Sequence, residues 1–411
     1  MLHIKPILAA LKRHKAGTIL IALQIALTLA IVCNALFIIQ QRLDRIARPT
    51  GLDESNLLTI QNRWVGVDDD KVGPLVRSDV QMLRQLPGVE DAVSTNSYPL
   101  RGGGWSTGIS LSPDTDHKPE AHTTQYFVDE HAIATMGAKL IAGRNFRADE
   151  VVAMDSKSIV GAPQIIVTKE LADKLFPDGT ALGKTVYVDG GARPSTIIGI
   201  LAQLQVPWNG TWSDDFRNNA ILEPYQITGG STSYMIRSKP GQLEAITKSA
   251  PEALYKLNRM RVIPSERGVR TYDVVRAFAY RNDRGMAILM GTVCLVLLAI
   301  TAAGIVGLTS FWVGQRRKQI GVRRALGATK RDILSYFLTE NLLIGVAGVV
   351  IGALLAIGMN LWLVTQFEMA RISMSYVAIG VIALLLLGQG AVLAPAMRAS
   401  RVSPVEATRS V

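Results

Sequence analysis

A few places in the sequence combine residue types that could do chemistry. Residues 179–185 read GTALGKT, close to the G-x-x-x-x-G-K-[ST] loop whose backbone N–H groups wrap a phosphate. The run is one residue short, and Asp178 stands where the first glycine is required, so it reads as a turn between short elements. Asp114, Asp116, His117, Glu120 and His122 bring metal-ligating types into one polar loop, but without the spacing of a fixed coordination geometry. Cys33 and Cys294 fall inside apolar stretches, two cysteines make no disulfide framework, and no Ser/His/Asp or Cys/His set stands out. No catalytic, cofactor or metal site is expected.

Residues 315–334, QRRKQIGVRRALGATKRDIL, carry a different chemistry. Arg323 and Arg324 are neighbours and diverge by about 100° on a helix. Ile320, Ala325, Leu326 and Ala328 supply a small apolar surface beside them. A short helix docking into a groove of another protein needs that mixture of apolar anchor and flanking cations. The same cations could equally hold lipid phosphates. Residues 101–105 (RGGGW) read as a flexible loop, with contact to a partner as the alternative use.

These residues must be positioned by membrane elements. Residues 17–39, 286–313, 342–364 and 376–397 contain no Asp, Glu, Lys, Arg or His. Each exceeds the roughly 20 residues that span a hydrocarbon core of about 30 Å, and none has the charged face of a soluble helix. Four transmembrane helices are therefore expected. The first follows Lys12, Arg13 and Lys15 as a signal peptide would, but its apolar run is too long and no small-x-small cleavage site follows. It reads as an uncleaved anchor.

The net charge of +11 raises nucleic acid as a partner class, and its location removes it. Lys5, Lys12, Arg13 and Lys15 precede the first span, Arg316, Arg317, Lys318, Arg323, Arg324, Lys330 and Arg331 lie between the second and third, and Arg398, Arg401 and Arg409 follow the fourth. Against them stand Asp332, Glu340 and Glu406, so these segments hold the whole surplus. The positive-inside rule then predicts cytoplasmic segments at 1–16, 314–341 and 398–411, with both termini inside. Residues 40–285 form an outer domain, and 365–375 a short external loop.

The outer domain reads as mixed α/β. Strands are expected at 56–61, 89–94, 164–168, 185–188, 195–201 and 261–264, and helices at 76–86, 171–176 and 243–257. Residues 40–47 and 272–284 contain no Gly or Pro, so the first two membrane helices either continue outward as stiff stalks or merely anchor the ends of the domain. No span contains an ionisable group, which argues against a proton relay. Gln24, Asn34, Asn360 and Gln389 are expected to hydrogen-bond between helices. Gly304 with Gly307, and Gly348 with Gly352, mark close helix packing, within or between subunits.

The loop resembles that of the MacB/FtsX-like ABC transporter permease family, which shows an acidic residue followed by I-G-I/V-R-R-A-L-G-A. Ile320, Gly321, Val322, Arg323, Arg324, Ala325, Leu326, Gly327 and Ala328 match in order, with Gln319 in place of the acid. Residues 394–408 match the family's P-A-x-R-A-x-x-x-x-P-x-E-A tail, and Gly143, Arg144, Phe146, Gly183, Lys184 and Ile198–Gly199–Ile200 follow the order of its periplasmic core. The resemblance implies a porter-like α/β head with a β-rich insert near 126–220. It implies that Ile320, Gly321, Arg323, Arg324, Ala325, Leu326, Gly327 and Ala328 couple to a cytoplasmic ABC ATPase, which binds the ATP and magnesium that this chain does not.

The implied protein is a multi-pass permease of the bacterial inner membrane, paired with a second permease as a homodimer or related heterodimer. It would export antibiotics, peptides or toxins, with a periplasmic adaptor and an outer-membrane channel in double-membrane bacteria. Alternatives are a lipoprotein-releasing permease and a transmembrane signalling or regulatory scaffold. The cell-division branch, with its much smaller outer domain, fits less well.

Overall fold

The computed structural model describes residues 15–113, 118–155, 161–190, 193–367 and 371–402. It divides into two compact units, one of Met1–Ile46 with Asp283–Val411 and one of Ala47–Asn282. The chain opens with α1 (Lys15–Ile46), β1 (Leu57–Trp64), α2 (Asp69–Gln85), β2 (Val89–Thr95), β3 (Trp105–Ser110), β4 (Ala121–Phe127), α3 (Ala132–Met136), β5 (Leu140–Gly143) and β6 (Val152–Asp155). It continues with β7 (Gln164–Thr168), α4 (Lys169–Leu175), β8 (Thr185–Val188), β9 (Pro194–Leu201), β10 (Ala220–Glu223), β11 (Tyr225–Thr228), β12 (Ser231–Ser238), α5 (Leu243–Leu257), β13 (Arg261–Val262) and β14 (Val269–Thr271). It closes with α6 (Tyr272–Ala279), α7 (Arg281–Gln315), α8 (Arg317–Ala325), α9 (Lys330–Phe367) and α10 (Met374–Ser400).

Among the described residues α1, α7, α9 and α10 are long and apolar enough to cross a membrane, with mean hydropathies of 2.4 to 2.6. Buried Ile21, Ile25, Leu29 and Cys33 line one stripe of α1. Gly348 and Gly352 of α9 lie against that stripe: a Cβ on Gly348 would sit 2.9 Å from the Ala22 carbonyl, and one on Gly352 2.8 Å from that of Ala26. These glycines therefore serve packing within the chain, as does Gly304, whose missing side chain makes room for Gln24. Around Gly307 there is open space.

Three of the four amide side chains in the spans find partners. Gln24 Nε2 donates to the Ile300 carbonyl (3.1 Å) and Asn34 Nδ2 to the Ala356 carbonyl (3.1 Å). Asn360 Oδ1 accepts from the Ile372 amide (2.9 Å) ahead of α10, whereas Gln389 Nε2 has no partner among the described residues. Thr28 and Thr301 share a hydroxyl–hydroxyl bond at 2.8 Å.

In the outer unit, β13-β1-β12-β2 form an antiparallel sheet, with β14 also on β1. Leu58, Ile60 and Trp64 alternate onto one face, where Val72, Val76, Val80 and Leu83 of α2 and Ile246, Ala250 and Leu254 of α5 cover them. Asp79 sits in the α2 stripe with no exposed side chain and takes a bidentate bond from Arg261 (both 2.8 Å). Tyr234 also donates to Asp79, so every charge in this core is satisfied.

The second sheet runs β5-β9-β7-β10-β4-β3-β8, and the additional pairing of β8 with β9 closes it on itself. Six of its strands thus form a closed ring, with β5 paired on β9 alone, and enclose Ile109, Phe127, Ile165, Val167, Val186 and Ile221. The sheet starts at Trp105, ahead of the start near residue 126 that the sequence suggested. Its first strands, WSTGIS and AHTTQYF, are too rich in Ser and Thr to show an apolar alternation.

The first stalk is continuous: α1 runs unbroken to Ile46, supported by a Gln40–Asp44 bond (2.7 Å), and ends ahead of Pro49. The second is not. The helix expected across 272–284 breaks at Tyr280, which is buried with Gln205 bonded to its hydroxyl (3.3 Å) and the Arg276 guanidinium 5.6 Å from its ring. The break coincides with the burial of Tyr280 against Gln205, at a place with no Gly or Pro.

Candidate coupling site

The loop between the second and third membrane helices folds into α8. Its end is set by Gly327, whose φ of +98° only glycine adopts at low cost, and by a capping box in which Thr329 and Asp332 satisfy each other's amides (2.8 and 3.2 Å) at the start of α9.

The packing of α8 sorts the expected residues into inner and outer sets. Ile320 and Gly321 are buried, Ile320 in the cluster that holds Trp312, Phe337 and Ala399. Ala328 is half-buried against the same cluster. Neither Ile320 nor Ala328 therefore belongs to an outer apolar face. That face is Val322, Ala325 and Leu326, with Leu326 83% exposed at the helix tip.

The arginines hold α8 to its neighbours. Arg324 Nη1 donates to the carbonyls of Ser400 (2.8 Å) and Val402 (3.2 Å), satisfying the open C-terminal end of α10. The Arg323 guanidinium lies 5.0 Å from the Tyr336 ring of α9. Just ahead of α8, Arg316 Nη1 donates to both oxygens of Glu340 (3.0 and 2.9 Å), and both side chains are largely buried. Sequence reading missed Arg316, Glu340 and Val322. The one available signal was an isolated acid where the apolar run of the third helix begins.

In the outer unit, the two chain passages next to the membrane helices are tied to one segment. Arg48 pairs with Asp214 (2.7 Å), Gln203 donates to the Pro49 carbonyl (2.8 Å), and the Gln205 amide to that of Thr50 (2.8 Å). From the same segment Asn209 donates to the Ala279 carbonyl (2.7 Å) at the end of α6. Arg276 of α6 meets Glu54 at 2.6 Å, joining the two passages directly. Within the membrane unit Arg42 of α1 pairs with buried Asp283 of α7 at 2.8 Å.

The other sequence candidates do not assemble. Residues 179–185 form a turn in which Asp178 caps Thr180 (3.1 Å), with Gly183 at φ +79°. Glu120 accepts from the Leu111 amide (3.2 Å) and His122 leans on Phe216, whereas Asp114, Asp116 and His117 lie outside the described residues. No cluster of three or more His, Cys, Asp or Glu occurs among the described residues.

Comparison with known proteins joins the two units. The family model of the MacB-like periplasmic core domain matches residues 18–253, and that of the FtsX-like permease C-terminal matches residues 291–404. The chain belongs to the MacB/FtsX-like ABC transporter permease family. The permease is 29% identical over 294 residues to the macrolide export ATP-binding/permease protein MacB of Neisseria meningitidis, covering 69% of this chain and 42% of that one. With the MacB of Chromobacterium violaceum the identity is 27% over 281 residues, 66% of this chain and 41% of the relative. The chain thus spans about two-fifths of the length of these curated relatives. The ABC transporter permease YvrN of Bacillus subtilis is 22% identical over 423 residues, with 99% of each chain covered. A crystal structure of the periplasmic region of MacB from Actinobacillus actinomycetemcomitans matches 57% of this permease and 96% of its own chain, with 18% identity and a TM-score of 0.36.

Proposed function

We propose that this permease is the non-catalytic membrane subunit of a MacB-like ABC transporter, inserted in the inner membrane with both termini in the cytoplasm. A separate cytoplasmic ATPase docks on the outer face of α8, and its ATP-driven movement drives the outer unit to export antibiotics, peptides or toxins. The observation that carries this reading is the two-sided character of α8. One side is fastened to the helix bundle through Ile320, Arg323 and Arg324, while Leu326 and Ala325 are presented outward. A helix held this way passes on a push instead of absorbing it.

At the far end of the path, the ties among Arg48, Asp214, Glu54 and Arg276 make the two passages move as one. A second permease copy, a periplasmic adaptor and an outer-membrane channel complete the proposed assembly; the names of the MacB relatives support the export part of this reading alone. The test is a cysteine at Leu326 in native membranes. It should react with an impermeant maleimide only in inside-out vesicles, and a bifunctional crosslinker should join it to a nucleotide-binding subunit. Labelling of intact, right-side-out cells would reverse the topology and remove the proposal.

A further inference from the structure

A cleft of about 400 Å³ opens in the outer unit where the five-stranded sheet meets the closed sheet, lined by Asn96, Arg101, Gly104, Trp105, Gly230 and Ser231. Its volume falls within the range of small-molecule sites, which favour such junctions. Arg101, like the buried Arg270, differs from six other buried or half-buried arginines of this unit. Arg48, Arg84, Arg144, Arg237, Arg261 and Arg276 each face a carboxylate. Arg101 has only a hydrogen bond from Nη1 to the Gly103 carbonyl (3.1 Å), and its Nε is buried with no acceptor among the described residues. A half-buried cation without a counter-charge is costly, and an oxyanion in the cleft removes that cost.

The rest of the lining specifies what else such a ligand carries. Trp105 is 39% exposed, with its ring braced edge-on against Phe127 (5.5 Å between centroids), so it offers a fixed apolar plane. Asn96 is held in place, donating to the Gln125 carbonyl (3.0 Å) and accepting from the Phe127 amide (2.9 Å). A water-sized void shares Asn96 and Ser231 with the cleft and borders Thr232, whose buried hydroxyl has no partner. No second cation lines the cleft, which suits a singly charged carboxylate better than a phosphate.

We infer that this cleft binds a small carboxylate-bearing ligand with an aromatic or apolar body, its carboxylate on Arg101 and its body against Trp105. The site stands apart from the coupling reading, because no step of it involves ATP.

The test uses the full chain in lipid nanodiscs, titrated with N-acetylphenylalanine and, as the uncharged control, its amide. The readout is the tryptophan emission that disappears in Trp105→Phe. Saturable quenching is expected, weakened roughly ten- to hundredfold in Arg101→Gln, with the amide weaker than the acid to a similar degree. Gly230→Leu tests the site independently, since Gly230 lines the cleft and a Cβ there meets nothing within 4 Å. It should abolish the response while the circular dichroism spectrum is unchanged. No saturable quenching, an equal response to acid and amide, or full binding in both Arg101→Gln and Gly230→Leu would each overturn the inference.

Discussion

The Arg324 guanidinium donates to the Ser400 carbonyl at 2.8 Å, fastening α8 to the end of α10. An arginine that sequence alone would assign to a partner protein is thus occupied inside the chain. It positions α8 against the end of α10.

Arg324→Ala should therefore separate docking from transmission. ATP hydrolysis that co-purifies with the permease should persist, while transport per ATP falls roughly five- to hundredfold, the range of ordinary coupling energies. Arg324→Lys should recover part of it by keeping one donor to Ser400. Transport assays in proteoliposomes run beside ATPase assays check this, and a parallel fall in both activities would instead mark Arg324 as a docking residue.

The Arg316–Glu340 pair is buried and doubly bonded, so removing one partner strands the other charge. Glu340→Ala should destabilise the membrane unit by about 3–5 kcal/mol. Thermal unfolding in detergent should show the loss, and the Arg316→Ala/Glu340→Ala double variant should be less damaged than the sum of the singles.

Gly352 and Gly358 lie on one helix and should respond oppositely. A Cβ at 352 meets the backbone of Ala26, whereas one at 358 meets nothing within 4 Å. Gly352→Ala should cost about 1–3 kcal/mol through forced separation of α1 and α9, and Gly358→Ala should be neutral or slightly stabilising. Equal effects at the two positions would contradict the packing described for α1.

Glu223 gives the outer unit a pH dependence. Burial pushes its carboxyl up to about 7, opposed by bonds from Gln125 Nε2 (2.9 Å) and the Ala162 amide (3.4 Å), with Asp189 adding a smaller upward push. Between the ordinary value of 4.5 and about 7, the folded state keeps a proton that the unfolded state has released. Stability from this group is therefore greatest at acid pH, declines as pH rises through that window, and is level above it, by about 3 kcal/mol in all. Denaturant midpoints of the full chain should fall between pH 5 and pH 8 more steeply in the wild type than in Glu223→Gln.

Much of this architecture was legible because membranes impose simple rules. A stretch without charges admits few structures other than a helix, and α1, α7, α9 and α10 follow. Strands β7 and β8 and helix α5 were also visible, with bounds that match. Strand β12, central to its sheet, was not, because STSYMIRS hides its apolar alternation among serines and threonines. The motif in α8 was legible as a motif, but its division into inner and outer faces was not. That division is set by Ile320 joining the buried cluster that also holds Phe337 of α9 and Ala399 of α10. Likewise the break at Tyr280, which is buried and bonded to Gln205, has no Gly or Pro to announce it.

The central claim is that the exposed tip of α8 docks a separate ATPase, and Leu326→Asp tests it most directly. The measurement is vanadate-sensitive ATP hydrolysis co-purifying with the tagged permease from native membranes, compared at equal amounts of monodisperse protein. The account expects the wild type to carry this activity and Leu326→Asp to lose nearly all of it while inserting normally. Undiminished co-purifying activity in Leu326→Asp would contradict the account.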